Sequence, residues 1–574
     1  MTTTPSAANT PKWWQTAVFY QVYPRSFADS NGDGIGDLPG LTARLDYLRD
    51  LGVDAIWLSP HFPSPLFDCG YDVSDYLGVA PEYGTMADFQ RLLAELHGRG
   101  MRLILDLVLN HTSDEHAWFR ESRSGRDNPK RDWYIWRDGR QDGPPNNWYS
   151  TFGGPAWEFD EATGQYYYHY FFRQQPDLNW RNPQVKEAMF QIVRFWLDMG
   201  VDGFRLDAIG TIFEHPDMPD HTATVTQDEL ILAAREAATP EQVHALNAQW
   251  QAMFDLQVDQ PGMHELLQDL RKLVDRYPGR VLVGESDEIA YHGSGDDELH
   301  MVFNFPLLRT NRLTPAWVLT NQQERLEALP AAAWPCNTLG NHDSQRVFSH
   351  FADGSHDLEW ARISLALVLT LKGTPFLYYG EEIGMTDLLL NEVGDFRDML
   401  GVWHYETERR LLNTPVSEAT LLAASRGRDK CRTPMQWSAG VNAGFCPAGV
   451  RPWLPVNPNC DAGVNVINQQ TDPASLLSFY HRLLAVRRAT PALQSGDYTP
   501  LDPQSDQCLA FLRRAQTPLQ TCVVVLNMSD RTRNLRFDVA TSGATVLFST
   551  HRPVGDDIDL RALAVAPLEI LVAS

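Results

Sequence analysis

The sequence is short of cysteine and of positive charge for its length. Its 574 residues include seven cysteines, an odd number, and no two of them form a C-x-x-C pair. We therefore expect neither a disulfide scaffold nor a cysteine-based zinc site, and reduced thiols in the cytoplasm fit this pattern. Aspartate and glutamate total 73 against 48 lysines and arginines, a formal net charge of −25. This balance argues against a nucleic-acid backbone or an anionic membrane as the main partner.

Long apolar runs are also missing. The most apolar stretch, residues 363–371, is about half as long as the ~20 residues that a membrane-spanning helix needs, and it ends at Lys372. The N-terminal MTTTPSAANTPKWW has neither a positively charged start nor an apolar centre, so no signal peptide is expected. Aromatic residues, in contrast, are abundant, with 17 Trp, 19 Tyr and 26 Phe. They predict either a large core or flat platforms for sugar rings.

Short apolar runs alternate with helical stretches over most of the chain. They predict strands at residues 18–23, 55–58, 103–108, 203–207, 281–285, 302–305, 337–340 and 376–379. Several runs are apolar throughout, as expected of parallel strands that are buried on both faces. Between them, residues 86–99 predict an amphipathic helix. The pattern favours an α/β fold of the (β/α)8 TIM-barrel type, although a doubly wound sheet would alternate similarly.

Two long gaps interrupt the alternation and suggest further domains. We expect a catalytic barrel at residues 1–109 and 184–490, with a small domain at 110–183 inserted after strand three. A long insertion at about 386–472 follows strand eight. After a helix at 474–488, strands expected at 522–526, 535–539, 545–548 and 570–572 predict a C-terminal antiparallel β-sandwich at 491–574.

Two carboxyl groups stand at the ends of neighbouring predicted strands. Arg205 and Asp207 are two residues apart in strand four, so their side chains should share a face. The guanidinium should then lower the pKa of Asp207 and keep it ionised, which suits a nucleophile. Glu285 ends strand five, where a dry barrel mouth would help it to keep a proton, which suits a general acid. Each of these alone could also be an ordinary ion pair or a solvated strand end.

Polar side chains follow strands three and seven as well. They are Asp106, Asn110 and His111 after strand three, and His342 and Asp343 after strand seven. Barrel active sites are built at the C-terminal ends of the strands. Two carboxyl groups there, ~5–5.5 Å apart, would flank one glycosidic bond and hydrolyse it with retention. Asp207 would attack the anomeric carbon, and Glu285 would protonate the leaving oxygen and then deprotonate water.

These segments resemble the signature regions of the α-amylase family, glycoside hydrolase family 13. The likeness extends from FYQVYPRSF near residue 19 through RTPMQW at residue 432 to the C-terminal domain. The resemblance implies Asp207 as nucleophile, Glu285 as acid/base and Asp343 as a third carboxylate that holds sugar hydroxyls. It further implies that the first glucose is contacted by His111, Arg205 and His342, with Tyr71 as the stacking platform.

Finer motifs narrow the subgroup. QPDLN at 175–179 is similar to the oligo-1,6-glucosidase group, which also contains α-glucosidases; trehalose synthases usually have Met where Gln175 stands. Asp68 and Arg432 resemble the pair that binds the non-reducing-end glucose in exo-acting relatives, although Arg428 is nearby. This pair implies a blind pocket that releases one glucose. Ala208 stands where α-1,6-preferring relatives usually carry Val, and so favours maltose-like or sucrose-like substrates, a preference worth only ~1–3 kcal/mol.

The segment at residues 29–37, DSNGDGIGD, is a candidate metal site. Oxygens recur at alternating positions as in the first part of an EF-hand loop, but Gly40 stands where that loop needs a bidentate Glu. The alternative is a glycine-rich turn with solvated acids. The resemblance implies a structural Ca²⁺ or Mg²⁺ that pins this loop, with ligands from Asp29, Asn31, Asp33, Asp37 and the carbonyl of Ile35.

Together these observations predict an intracellular exo-α-glucosidase without an organic cofactor. It would be a monomer or weak homo-oligomer that acts on short α-glucosides. The alternatives are a transglucosylase or isomerase of the same family, trehalose-synthase-like or otherwise, and an oligo-1,6-glucosidase. The long polar loop at 211–262 is expected on the acceptor side. The sucrose-isomerase signature RLDRD is absent, and residues 324–330 depart from it. A non-catalytic scaffold is disfavoured because Asp207, Glu285 and Asp343 are all present.

Overall fold

The computed structural model describes residues 11–141, 143–502, 504–539 and 543–574. Residues 1–10, which form most of the segment used in the signal-peptide prediction, lie outside the described residues. Across the described part of the chain, every helix is too short or too polar to span a bilayer.

The described residues form a closed barrel of eight parallel strands, arranged in their order along the chain. Strand one pairs with strands two and eight, and a bridge between Phe303 and Cys336 joins strand six to strand seven. The predicted (β/α)8 barrel is therefore confirmed. From one to eight, the strands are Phe19–Val22, Ala55–Leu58, Arg102–Val108, Gly203–Asp207, Val281–Gly284, Met301–Val302, Cys336–Asn337 and Thr374–Tyr378.

Strands six and seven are shorter than predicted. Strand six ends at Val302, and the helix Phe305–Arg309 follows with a proline in its first turn. Proline lacks the N–H that a ladder needs but is accepted at a helix start, so the chain leaves the sheet here. Strand seven ends at Asn337, and the residues after it form the loop that carries His342 and Asp343.

The predicted helix at 86–99 illustrates how the barrel helices form. It spans Met86–Gly98, and its Thr85 cap accepts the backbone N–H of Asp88 at 3.2 Å. Its apolar side chains at helical spacing are buried against the barrel core. The other α-helices are Trp13–Thr16, Pro24–Phe27, Leu38–Ala43, Leu45–Leu51, Ala117–Arg123, Pro183–Met199, Gln227–Glu236, Pro240–Phe254, Met263–Val274, Phe305–Arg309, Pro315–Ala328, Val347–His350, Asp357–Thr370, Met399–Leu411, Val416–Arg426, Val466–Gln470, Leu476–Ala489 and Pro491–Ser495.

A small antiparallel sheet interrupts the barrel between strands three and four. Its strands are Trp136–Arg137, Gln165–Tyr168 and Trp157–Asp160. Aromatic side chains of this segment share a core with Leu230 and Phe254, which belong to helices inserted after strand four. The two insertions therefore pack against each other.

The C-terminal region is an antiparallel β-sandwich, as predicted. Its larger sheet orders Asp497–Pro500, Cys508–Gln516, Leu519–Asn527, Ile570–Ala573, Gly543–Ser549 and Asp557–Asp559, and its smaller sheet pairs Arg533–Leu535 with Leu563–Val565. The strand predicted at 535–539 is wrong. Phe537 is buried in the sandwich core and its N–H donates to the Leu560 carbonyl at 2.9 Å, but the ladder has already ended at Leu535. The domain boundaries at 109/110, 183/184 and 490/491 remain predictions.

Candidate active site

One arginine organises the carboxylates at the C-terminal end of the barrel. Strand four is buried throughout, and Arg205 and Asp207 project from the same face as predicted. The Arg205 Nη1 donates to Asp106 at 2.6 Å and to Asp207 at 2.8 Å, and Nη2 pairs with Glu285 at 2.7 Å. The two carboxyl groups predicted to act on one bond therefore converge on a single guanidinium.

The electrostatics of Asp207 differ from the sequence prediction. Burial raises the pKa of Asp207 well above its usual value, and Arg205 opposes this shift. The negative charges of Glu285 and Asp106 add to the increase, so the predicted lowering is wrong. The physical reason is that burial outweighs the attraction of Arg205, a cation that three carboxylates share. Burial likewise raises the pKa of Asp106, to about 6.

The backbone beside Asp207 holds Glu285. Ala208 has a left-handed conformation, with φ 38° and ψ 47°, which is unusual for a residue with a side chain. Its N–H donates to Glu285 Oε2 at 2.8 Å. Local strain of this kind is found where a structure fixes functional groups. At Ala208, the strained conformation directs the backbone N–H toward Glu285.

Tyr71 and His342 form a stacked pair that joins this cluster. Their rings lie 5.2 Å apart at an angle of 10°. The Tyr71 hydroxyl donates to Asp106 at 3.0 Å and lies 2.5 Å from His342 Nε2. Burial holds the pKa of His342 well below its usual range, so the ring is neutral. Because Gln21 Nε2 lies 2.8 Å from Nδ1, we place the His342 proton on Nε2, facing Tyr71.

Asp343 lies against two arginines. Arg432 Nη2 donates to it at 2.6 Å, and Arg428 Nη1 lies at 3.6 Å. Burial alone would raise the pKa of Asp343, but the positive charges of Arg432 and Arg428 outweigh that effect and hold it well below the usual value. The Asp343 side chain keeps 34% of its surface exposed, so an ionised carboxylate faces the cavity.

The predicted pairing of Asp68 with Arg432 is wrong. Asp68 accepts from Arg428 Nη2 at 2.7 Å, and the same guanidinium binds Asp398 at 2.7 Å. Arg432 Nε instead donates to the His342 carbonyl at 2.8 Å, which directs its guanidinium to Asp343. Both arginines therefore reach the site, but it is Arg428 that closes the Asp68 end.

Gln175 connects two predicted contacts of the first glucose. Its Nε2 donates to Asp68 at 3.0 Å and lies 2.9 Å from His111 Nε2. Its Oε1 accepts the N–H of Phe172 at 3.1 Å, so the amide is fixed at both ends. Burial lowers the pKa of His111 to about 4, and the ring is therefore neutral at physiological pH.

A cavity of about 290 Å³ opens among these groups. At the Asp68 end the lining side chains are almost fully buried, with 10% of Arg428 and 6% of Asp68 exposed. The lining residues are Asp68, Tyr71, His111, Phe152, Phe171, Asp207, Ala208, Glu285, Asp343, Leu400, Arg426 and Arg428. Carboxylates and aromatic rings around a small cavity suit a sugar ring.

Comparison with known proteins agrees with this geometry. The profile of the α-amylase catalytic domain matches residues 21–496. The chain belongs to the α-amylase family. An oligo-1,6-glucosidase of Parageobacillus thermoglucosidasius is 38% identical over 98% of each chain, and a probable α-glucosidase of Rhizobium meliloti is 42% identical over 90% of each. The trehalulose synthase MutB of Pseudomonas mesoacidophila MX-45 is similar in structure, with a TM-score of 0.85 and 39% identity over 98% of this chain and 100% of that one.

The loop at residues 29–37, where the family resemblance implies a cation, has suitable oxygen donors. Asp29 accepts N–H groups of Gly32 at 2.6 Å and Gly34 at 2.9 Å, and Asp33 accepts that of Ile35 at 2.8 Å. An ionised carboxylate has room for about four such contacts, so lone pairs remain for a hard cation. Within the described ranges, however, no three His, Cys, Asp or Glu side chains converge as metal ligands. The cation, with Asp29, Asn31, Asp33, Ile35 and Asp37 as its expected ligands, remains a prediction.

The catalytic and substrate-binding residues predicted from the sequence do not include Asp106, Gln175 or Arg428, which the structure places in the site. Asp106 lies on strand three, which carries no other residue of the predicted catalytic set. It meets Arg205 because strands three and four pair in the barrel. Gln175 begins the QPDLN motif, so a signal was present. Arg428 lies four residues from Arg432, and spacing alone could not separate them.

Proposed function

We propose that this protein is a retaining, exo-acting α-glucosidase that removes glucose from the non-reducing end of short α-glucosides. The observation that carries the proposal is the convergence of Asp207 and Glu285 on Arg205, beside a cavity closed by Asp68 and Arg428. Names of relatives such as α-glucosidase and oligo-1,6-glucosidase support the same class of reaction.

In the proposed reaction, two displacements occur at the anomeric carbon. A carboxylate oxygen of Asp207 attacks that carbon while Glu285 gives its proton to the leaving oxygen, and a covalent β-glucosyl ester forms. Glu285 then removes a proton from water, whose oxygen displaces Asp207 and releases α-glucose. Arg205 keeps both carboxyl groups on one side of the cavity. Asp343 accepts hydrogen bonds from sugar hydroxyls, and Tyr71 supplies the ring on which the sugar stacks.

The exo-action follows from the closed end of the cavity. Asp68 and Arg428 present charged groups that would bind a terminal hydroxyl, and the ion pairs of Arg428 with Asp68 and Asp398 would leave no passage for a further sugar unit. Gln175 contacts both Asp68 and His111 and would hold both side chains against the same glucose. The small side chain of Ala208 in the cavity wall favours α-1,4-linked or sucrose-like substrates over α-1,6-linked ones.

A transglucosylase or isomerase is the second candidate. The structural likeness to trehalulose synthase MutB favours it, because the covalent intermediate would be the same and only the acceptor would differ. Against it, residues 324–330 depart from the isomerase signature, and most of them lie in the helix Pro315–Ala328.

We also propose a setting for the enzyme. Its seven cysteines are all buried free thiols, which supports work in the reducing cytoplasm. It would act as a monomer or weak homo-oligomer, and one structural Ca²⁺ or Mg²⁺ would pin the loop at 29–37.

The function is tested by incubating the purified protein separately with maltose, sucrose, isomaltose and trehalose and identifying every product. Glucose from maltose or sucrose, with slow release from isomaltose, is the expected result. New disaccharides without matching free glucose would instead identify a transglucosylase or isomerase. No reaction with any of the four would reject both.

A further inference from the structure

A second arginine lines the cavity at its open end. The Arg426 side chain is 47% exposed, whereas that of Arg428, at the Asp68 end, is 10% exposed. Arg426 therefore lies nearer to solvent, where the cavity meets the surface. The same cavity wall includes Phe152, Phe171 and Leu400, which are apolar and carry no counter-charge.

Arg426 is held by a buried glutamate. Its Nη1 donates to Glu408 Oε1 at 2.9 Å, and Glu408 is 1% exposed. Glu408 also binds Arg235 and accepts from the Thr414 hydroxyl at 2.8 Å. Two cations and a hydroxyl therefore fix one carboxylate, which in turn fixes the direction of Arg426. Such paired, hydrogen-bonded carboxylates are the stable form of a buried charge.

Arg235 ties this group to the insertion after strand four. It lies in the helix Gln227–Glu236. Earlier in the same insertion, the carbonyls of Met218 and Pro219 accept from Asn146 at 3.1 Å and from Trp148 Nε1 at 2.8 Å. The insertion thus contacts both the segment inserted after strand three and Glu408.

The remaining donors of Arg426 are available for a ligand. Among the residues that the structure describes, its guanidinium bonds only to Glu408, which leaves the Nε and Nη2 groups unused. A guanidinium presents its donors in a fixed fork, which suits two neighbouring hydroxyl oxygens. If the terminal glucose occupies the closed end, the next unit of the substrate must lie at the open end.

We propose that Arg426 binds the leaving-group sugar of the substrate and that Glu408 and Arg235 position it there. The insertion at 211–262 then influences acceptor choice through the Arg235–Glu408–Arg426 chain. This inference rests on the proposed function, because it assigns the second sugar unit of that same reaction.

The test compares two substrates that share a glucose but differ in the leaving group. Maltose carries a second sugar with hydroxyls, whereas p-nitrophenyl α-glucoside carries a flat aromatic group. With Arg426→Ala, kcat/KM for maltose should fall by at least about tenfold, the loss expected for hydrogen bonds from a charged group, and KM should rise. The kcat/KM for the nitrophenyl substrate should fall much less. Arg426→Lys should restore part of the loss, and Arg235→Gln should give a smaller loss in the same direction.

Arg410→Ala is the matched control. Like the Arg235–Glu408 pair, the ion pair of Arg410 with Asp228, at 2.6 Å, joins the helices Gln227–Glu236 and Met399–Leu411. Arg410 lies outside the cavity. The Arg410→Ala variant should leave the ratio of kcat/KM for the two substrates unchanged. Equal losses on both substrates with Arg426→Ala, or no loss on either, would overturn the inference. A wild-type protein that cleaves neither substrate would instead reject the proposed function, so the two failures are distinguishable.

Discussion

Asp207 and Glu285 bind opposite nitrogens of one guanidinium. Arg205 Nη1 lies 2.8 Å from Asp207 and Nη2 lies 2.7 Å from Glu285. Because the same group also binds Asp106, a single cation serves three buried or partly buried carboxylates. The site therefore carries excess negative charge before substrate enters, and several of its properties follow from that excess.

Replacing Asp207, the proposed nucleophile, should stabilise the fold while it removes activity. Asp207→Asn should lower turnover by at least about 10³-fold, since no carboxylate remains to form the covalent intermediate. The same variant should have a higher thermal midpoint than the wild type at pH 8, because one buried charge is gone. Turnover assays and thermal unfolding of both proteins check this.

The gain in stability should depend on pH. Burial raises the pKa of Asp207 in the folded chain above its value in the unfolded chain. The folded state therefore binds a proton more readily, and wild-type stability falls as the pH rises through the folded pKa. The advantage of Asp207→Asn should be largest above that pKa and vanish below the unfolded one. An advantage that grows on acidification would contradict the raised pKa.

The closed end of the cavity should depend on the charge of Asp68. Asp68→Asn keeps the shape but weakens the charge-assisted bonds to Arg428 and to the terminal glucose. We expect kcat/KM for maltose to fall by about 10- to 100-fold. As a control, Asp228→Asn removes an exposed carboxylate outside the cavity and should have no effect. Wild-type kinetics in Asp68→Asn would argue against an exo-acting pocket built on this residue.

Ala208 should influence both stability and linkage preference. Its left-handed backbone suits glycine better than alanine, so Ala208→Gly should be more stable by about 1 kcal/mol in denaturant unfolding. Ala208→Val should be less stable, because a β-branched residue is strained at this φ. The added methyl groups should also narrow the cavity and lower the ratio of maltose to isomaltose cleavage. An unchanged ratio would remove Ala208 as a determinant of linkage.

The predicted cation should stabilise the loop at 29–37. Treatment with EDTA should lower the thermal midpoint, and added Ca²⁺ or Mg²⁺ should restore it, because an ion that binds only the folded state shifts unfolding by mass action. Asp33→Ala should abolish this response while turnover on maltose stays measurable. If EDTA leaves the thermal midpoint of the wild type unchanged, the loop holds no exchangeable ion.

The sequence predicts the barrel well because its strands are apolar runs with sharp ends. Strands two and four begin and end as predicted. Pairings between distant loops are harder to foresee. Arg428 and Arg432 are four residues apart, and only the bonds of Arg432 to the His342 carbonyl and of Arg428 to Asp398 decide which one meets Asp68. The Arg235–Glu408 contact joins residues 173 positions apart and leaves no local signal.

Asp207 shows a second limit. A sequence indicates that Arg205 lies beside it, but not that two further carboxylates share that arginine. The sign of the pKa shift depends on this count and on burial, which both come from the fold. The position of Asp207 at the end of strand four could therefore be predicted from the sequence, whereas the direction of its pKa shift could not.

The most direct test of the account is the anomeric form of the first glucose released from maltose. Proton NMR in the first minutes, before mutarotation, distinguishes the two anomers. Double displacement by Asp207 and Glu285 predicts α-glucose first, with the β-anomer appearing only as mutarotation proceeds. Initial release of β-glucose would mean a single displacement by water and would contradict Asp207 as the nucleophile.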